Sequence, residues 1–107
     1  MTQSRTALVV DDEEGIRKVL RAYLENDGFT VVEAADGGAA LDALAVHDPS
    51  VVLLDVGLPD MDGIEVLRQI RSTSEVPVLL VTARTEEVDT LVGLSVGADD
   101  YITKPFS

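Results

Sequence analysis

The stretch that most constrains the fold of this chain lies near its middle, at residues 51–63. Four apolar residues, Val51-Val52-Leu53-Leu54, run directly into the carboxylate of Asp55, and a loop containing Gly and Pro follows. An apolar run of this length is typical of a strand that is buried on both faces of a parallel sheet. Because open α/β sheets bind their ligands at the carboxyl ends of such strands, the pattern predicts that the fold presents Asp55 to a ligand.

Strand and helix patterns alternate along all 107 residues. Short apolar or β-branched runs predict strands, and apolar residues at helical spacing predict the helices between them. Such alternation predicts an α/β fold, with helices on both faces of a parallel sheet and right-handed crossovers. The predicted strands cover 6–10, 29–34, 51–54, 76–81 and 100–103, and the helical patterns cover 16–24, 39–45, 64–70 and 86–96.

The alternation stops at Ser107, where a fifth helix is expected to begin. Part of one face of the sheet would then lack its cover. We therefore expect either a single domain truncated before its last helix, or a chain that buries the uncovered surface in a dimer.

The charge balance and the residue types limit the possible partners. A formal net charge of −12 argues against direct contact with nucleic acid or an anionic membrane, and favours basic partner surfaces or metal cations. The chain has no cysteine, which excludes a disulfide framework and thiol catalysis. No apolar run reaches the length of a membrane span, and the N-terminus lacks the apolar core of a signal peptide. We expect a cytoplasmic protein that does not enter a membrane.

Polar side chains follow four of the predicted strands. Asp11 and Asp12 follow the first strand, Asp55 the third, Thr82 the fourth and Lys104 the fifth. The carboxyl ends of parallel strands meet at one edge of the sheet, so three carboxylates, a hydroxyl and an ammonium should converge there. Their shared position at strand ends is more informative than any one of these residues alone.

The predicted cluster suits phosphoryl transfer with a divalent cation. Clustered carboxylates repel one another unless a cation lies among them, and oxygen ligands at an open site suit Mg²⁺, for which Mn²⁺ could substitute. Asp55 could then attack phosphorus, while Lys104 and the metal neutralise the phosphoryl oxygens and the Thr82 hydroxyl hydrogen-bonds one of them. The expected product is an aspartyl phosphate.

Four segments together resemble the receiver domains of bacterial two-component response regulators, and they span the chain from its first strand to its end. The last two are most similar to the OmpR/PhoB-type transcription factors. This resemblance implies a flavodoxin-like (βα)5 three-layer sandwich with sheet order 2-1-3-4-5, lacking its last helix in this chain. It also implies that residues 1–107 are a receiver domain without a C-terminal DNA-binding effector domain. The four segments are 9–13, 53–63, 81–84 and 97–106.

The resemblance also assigns roles at the metal and the phosphorylation site. A phosphohistidine on a sensor histidine kinase would phosphorylate Asp55. Asp12 and Asp55 would bind Mg²⁺ directly, Asp11 would act mainly through water, and the backbone carbonyl of Gly57 would complete the protein ligands.

Further roles fall on the last strands. Thr82 and Tyr101 match the family's switch pair, although a half-buried tyrosine on an edge strand is an equally good interpretation of Tyr101. Lys104 matches the lysine that binds phosphate, and the family usually has a cis peptide bond before the proline at position 105.

The implied function is a phosphorylation-controlled switch and not a turnover enzyme. Phosphorylation would shift the conformation of the face formed by helix 4 and strand 5. That shift would control homodimerisation and, in the parent protein, DNA binding and transcription. This chain itself would make no direct contact with nucleic acid.

Three other functions remain to be weighed against this one. Aspartyl-phosphate phosphatases typically place a second Asp two residues after the nucleophile, where this chain has Gly57. An interaction module that is not phosphorylated would not need the carboxylates and Lys104. A flavin-binding protein would place a Gly- and hydroxyl-rich phosphate loop after the first strand, where this chain is acidic.

The remaining acidic residues near these segments are given structural roles. We expect Asp60 and Asp62 to be turn and N-cap residues, and Asp99 and Asp100 to form a solvated turn before the last strand. Many relatives carry a side chain at the position of Gly57 that partly covers the phosphoryl group. Because Gly57 has none, we expect water to reach the phosphoryl group more freely in this chain.

Overall fold

The computed structural model describes residues 5–82 and 94–104. Five strands form one parallel sheet in the order β2-β1-β3-β4-β5, which confirms the predicted α/β architecture and sheet order. The elements are β1 Arg5–Val10, α1 Glu14–Asn26, β2 Phe29–Ala34, α2 Gly37–His47, β3 Val51–Leu54, α3 Gly63–Thr73, β4 Val78–Thr82 and β5 Asp100–Thr103.

The central strands are buried on both faces, as their unbroken apolar runs predict. Successive side chains of a strand point to opposite faces, so each strand supplies two cores. One core lies against α2 and α3 and the other against α1. The first includes Leu8, Val10, Leu54, Leu67 and Leu80, and the second includes Val9, Leu20, Leu53 and Val81.

The start of β4 differs from its prediction. The strand begins at Val78 and includes Thr82, whereas the apolar run predicts residues 76–81. The carbonyl of Val76 instead accepts a 2.6 Å hydrogen bond from Arg71 Nη1. The next residue, Pro77, has no N–H to donate to a ladder, although its carbonyl accepts from the N–H of Val52 at 2.9 Å.

The segment before β5 also differs from its prediction. The strand predicted over 100–103 is confirmed, so Asp100 is the first residue of β5 and its assignment to a turn is wrong. Asp99 is not simply solvated, because its Oδ2 accepts a 2.7 Å hydrogen bond from the backbone N–H of Val78 and pairs with Arg71 at 3.1 Å. The two acidic residues therefore join β5 to β4 and to the end of α3.

The helix predicted over 86–96 lies mostly outside the described residues. Residues 94–96 are helical, and Gly97 follows with a φ of 130°, as expected for a glycine that ends a helix. Among the helices in the described ranges, none is long and apolar enough to cross a membrane.

Before α3 begins, the loop after β3 comes back very close to the residues that directly follow this strand. Gly63 donates a 2.8 Å hydrogen bond from its N–H to the carbonyl of Val56. A Cβ at Gly63 would overlap the carbonyl oxygen of Asp55 and the backbone of Val56. Only glycine fits here, because the neighbours are backbone atoms that cannot rotate away.

Two glycine substitutions should therefore have opposite effects. Gly63→Ala forces backbone atoms apart and should lower the free energy of unfolding by about 3 kcal/mol, the upper end of typical overpacking costs. Gly15→Ala in α1 meets no atom within 4 Å. This control should raise the free energy of unfolding by about 0.5 kcal/mol, because alanine leaves the unfolded chain less conformational freedom than glycine does. Urea denaturation of both variants tests this, and equal midpoints would contradict the close approach at Gly63.

Candidate functional site

The ends of β1 and β3 place two carboxylates side by side. Val10 pairs with Leu54 in the parallel ladder, so the residues that follow, Asp11 and Asp55, leave the sheet at the same level. The backbone N–H of Asp55 donates to the carbonyl of Val10 at 2.9 Å and extends this ladder by one bond. Both side chains are buried, with 1% of Asp11 and 5% of Asp55 exposed.

Asp12 completes an acidic cluster at this edge. It is exposed, and one carboxylate oxygen from each of Asp11, Asp12 and Asp55 lies within 4.8 Å of the other two. The predicted convergence of these three side chains is therefore observed.

Lys104 enters the same cluster from the end of β5. Its Nζ lies 2.7 Å from Asp11 Oδ2 and 3.6 Å from Asp55 Oδ2, and 12% of its side chain is exposed. The β4–β5 register, in which Thr82 pairs with Thr103, brings the residue after β5 to this edge of the sheet. A lysine distant in sequence thus faces two of the three carboxylates.

The other predicted site residues are only partly described. Thr82 is the last residue of β4, at the same edge of the sheet, but its side chain lies outside the described structure. Tyr101 lies on the edge strand β5 and is 42% exposed. Its movement and that of Thr82 remain predictions, and the peptide bond before residue 105 also lies outside the described residues.

The family follows from comparison with known proteins. The protein-family model that describes the response regulator receiver domain matches residues 7–107 of this chain. This chain belongs to the response regulator receiver domain family. The receiver domain is a phosphoacceptor switch, a signalling module and not a turnover enzyme.

Solved structures show the same fold. A two-component response regulator from Clostridium difficile matches with a TM-score of 0.94 and 25% identity, over 97% of this chain and 86% of that chain. The CheY-like receiver domain protein of Methanospirillum hungatei matches at 0.91 and 30%, over 98% and 85%. The N-terminal receiver domain of Klebsiella pneumoniae RstA, in its BeF3-activated form, matches at 0.91 and 30%, over 96% and 88%.

The charges in this receiver domain favour a bound cation. Burial raises the pKa of Asp55, the charge of Asp11 raises it further, and Lys104 only partly offsets them. Burial alone would lower the pKa of Lys104, but its contact with Asp11 and the charge of Asp55 raise it overall. The cluster thus holds three carboxylates and one ammonium, which contacts two of them. The excess negative charge and the all-oxygen donors fit Mg²⁺.

The loop that carries Asp11 is held by charged residues that the sequence patterns did not indicate. The Arg17 Nη1 donates a 2.8 Å hydrogen bond to the carbonyl of Asp11, and its Nε pairs with Glu33 at 2.9 Å. Glu33 also pairs with Arg21 at 2.6 Å. The one sequence signal was the pair of arginines four residues apart on α1, which places both on one face.

The loop after Asp55 contains one confirmed and one missed role. Asp62 is the N-cap of α3, where its Oδ1 accepts from the N–H of Ile64 at 2.8 Å, as predicted. Asp60 is more than a turn residue. Its carboxylate accepts hydrogen bonds from the N–H groups of Gly37 and Gly38 in α2.

The raised pKa of Asp55 predicts that its ionised form destabilises the metal-free fold. The folded state holds this proton more tightly than the unfolded state, so the cost is complete above the folded pKa and disappears below the unfolded pKa. Asp55→Asn should therefore raise the urea midpoint at neutral pH in chelator. The gain should shrink in acid and in Mg²⁺.

The matched control is Asp42→Asn, which removes the same charge from an exposed position of α2. It should leave the urea midpoint close to that of the parent under all three conditions. A lower midpoint for Asp55→Asn than for Asp42→Asn in chelator would contradict the electrostatic interpretation.

Proposed function

We propose that this receiver domain is phosphorylated on Asp55 by a sensor histidine kinase in a Mg²⁺-dependent reaction. One observation carries the proposal: Asp55 is a buried carboxylate beside Asp11, with a lysine ammonium 3.6 Å away. Asp11, Asp12 and Asp55 would hold the ion together with the backbone carbonyl of Gly57. The bound ion would neutralise charge on the phosphoryl oxygens.

The chain's own residues divide the remaining work. A carboxylate oxygen of Asp55 attacks phosphorus as the bond from phosphorus to the kinase histidine nitrogen breaks, and an acyl phosphate forms. The Lys104 ammonium, now shared between Asp11 and Asp55, pairs with a phosphoryl oxygen. The hydroxyl of Thr82 donates to another phosphoryl oxygen.

The downstream response uses the surface around β5. In the proposal, Thr82 moves toward the phosphoryl group, Tyr101 turns inward, and the face formed by residues 94–104 changes its affinity for partners. Leu94, Tyr101 and Ile102 are exposed there, between 39% and 42%. Exposed apolar side chains of this kind are suited to a switchable homodimer contact.

We also propose that the parent protein is an OmpR/PhoB-type transcription regulator of the cytoplasm. The segment that supports this subfamily is Gly97-Ala98-Asp99-Asp100-Tyr101-Ile102-Thr103-Lys104-Pro105-Phe106. DNA binding and transcription control would belong to a separate effector domain, since the net charge of −12 opposes contact between this chain and DNA.

Intact mass after incubation with a small acyl-phosphate donor tests the phosphorylation site. The parent chain should gain one phosphoryl group in Mg²⁺ and none in chelator, because the clustered carboxylates need the cation. Asp55→Asn should gain none under either condition, and Asp42→Asn should match the parent. A folded parent chain that gains nothing would favour an interaction module that is not phosphorylated, and an equal gain in Asp55→Asn would place the acceptor elsewhere.

The open space beside Gly57 predicts a short-lived acyl phosphate. A Cβ at this position would meet no atom within 4 Å, so a longer side chain has room to shield the phosphoryl group. Gly57→Met should slow the loss of the phosphoryl group severalfold, whereas Gly57→Ala, which is too short to reach it, should change the rate little. Mass spectra taken after removal of the donor give both rates, and equal rates for Gly57→Met and the parent would contradict the shielding argument.

A further inference from the structure

The carboxylate of Asp60 joins two distant segments. It lies in the loop that follows Asp55, and it accepts hydrogen bonds from the N–H groups of Gly37 at 2.8 Å and Gly38 at 2.9 Å. These are the first two residues of α2. The first N–H groups of a helix have no partner within the helix, and its positive end attracts a negative charge. The bond from Gly37 is the main reason that the pKa of Asp60 is lowered.

The same helix has a local cap of its own. Asp36 is the N-cap residue, and its Oδ1 accepts from the N–H of Ala39 at 2.8 Å. Asp36 and Asp60 therefore both satisfy the start of α2, but only Asp60 connects it to the loop after β3. A substitution of Asp36 therefore removes only a helix cap, whereas a substitution of Asp60 removes a helix cap and the attachment of the loop.

A second contact at the same place is independent of charge. A Cβ on Gly37 would lie 2.6 Å from Met61 Cγ and 2.9 Å from Val66 Cγ2. Met61 thus packs directly on the backbone of α2, beside the Asp60 carboxylate. Two consecutive loop residues contact the helix, so the attachment has both polar and apolar parts.

The backbone at Gly57 itself has few contacts beyond its chain neighbours. The Gly57 N–H donates to Asp55 Oδ1 over a long 3.3 Å, and the space beside its Cα is open. At the far end, the N–H of Gly63 bonds the carbonyl of Val56 at 2.8 Å. Between these points Leu58 packs against the core shared with α2 and α3. Asp60 and Met61 contact the start of α2, so these polar and apolar contacts together set the path of the loop.

We propose that Asp60 is a positioning residue that ties residues 57–61 to α2 and so holds the Gly57 carbonyl where it can bind Mg²⁺. The inference rests on the proposed function, in which that carbonyl is a metal ligand. Groups that orient a ligand affect metal affinity without touching the metal. Asp60 therefore acts on metal binding and contacts neither the metal nor the phosphoryl group.

The test compares Asp60→Ala with Asp36→Ala, using the full chain. Both variants remove a carboxylate that caps α2, so both should lower the urea midpoint. Calorimetric titration with Mg²⁺ alone should show affinity roughly tenfold weaker for Asp60→Ala, the lower end of what groups orienting a metal ligand contribute. Asp36→Ala should bind Mg²⁺ like the parent. Asp60→Asn keeps one acceptor oxygen and should fall between the parent and Asp60→Ala.

Phosphorylation kinetics provide the second readout. In Asp60→Ala the Mg²⁺ concentration for half-maximal phosphorylation by an acyl-phosphate donor should rise by the same factor as the calorimetric affinity falls. The maximal rate should change less, because Asp55 and Lys104 are untouched. A general loss of structure would instead lower the maximal rate in both alanine variants.

The outcomes separate the positioning role from the proposed function. Equal Mg²⁺ affinities for Asp60→Ala and Asp36→Ala would overturn the positioning role. If circular dichroism shows that Asp60→Ala is unfolded, Asp60→Asn decides, and an affinity equal to that of the parent overturns the inference. A parent chain that binds Mg²⁺ but gains no phosphoryl group would refute the proposed function alone, and a parent that binds no Mg²⁺ would refute both.

Discussion

The parallel pairing of β1 with β3 buries two carboxylates side by side, and much of this receiver domain is arranged around that placement. Because Val10 pairs with Leu54, Asp11 and Asp55 emerge together at the edge of the sheet. Burying like charges in a low-dielectric setting is unfavourable, as the raised pKa of Asp55 shows. The fold accepts this cost at a place where a bound cation would relieve it.

Neighbouring side chains hold the acidic cluster in place but leave it with a net negative charge. Lys104 reaches it from the end of β5, Arg17 holds the carbonyl of Asp11, and Asp60 attaches the following loop to α2. None of these contacts removes the excess negative charge among the three carboxylates. An arrangement that is held by such contacts and still carries excess negative charge suits a divalent cation, because ligands already in position need less reorganisation when the ion binds.

Much of the fold and the centre of the site could be predicted from local patterns. The apolar runs of β1 and β3 and the turn residues between elements identify buried strands, and parallel topology then brings the residues at strand ends together. Arg17, Glu33, Asp60 and Asp99 could not be assigned in this way. Their partners lie between 6 and 28 residues away, and nothing in an isolated charged side chain says which distant backbone group it will meet.

The sequence by itself determined the elements, their order and the type of chemistry, since these depend on hydrophobic periodicity and on which polar residue ends each strand. Only the tertiary structure decided how these parts are joined. It determined that β4 begins at Val78, that Asp99 bonds to that strand, and that Asp60 caps a helix 22 residues earlier. Hydrophobic burial is collective and tolerates small shifts, so it can be recognised along the chain. A hydrogen bond requires two particular groups within about 3 Å, and only the folded backbone sets that distance.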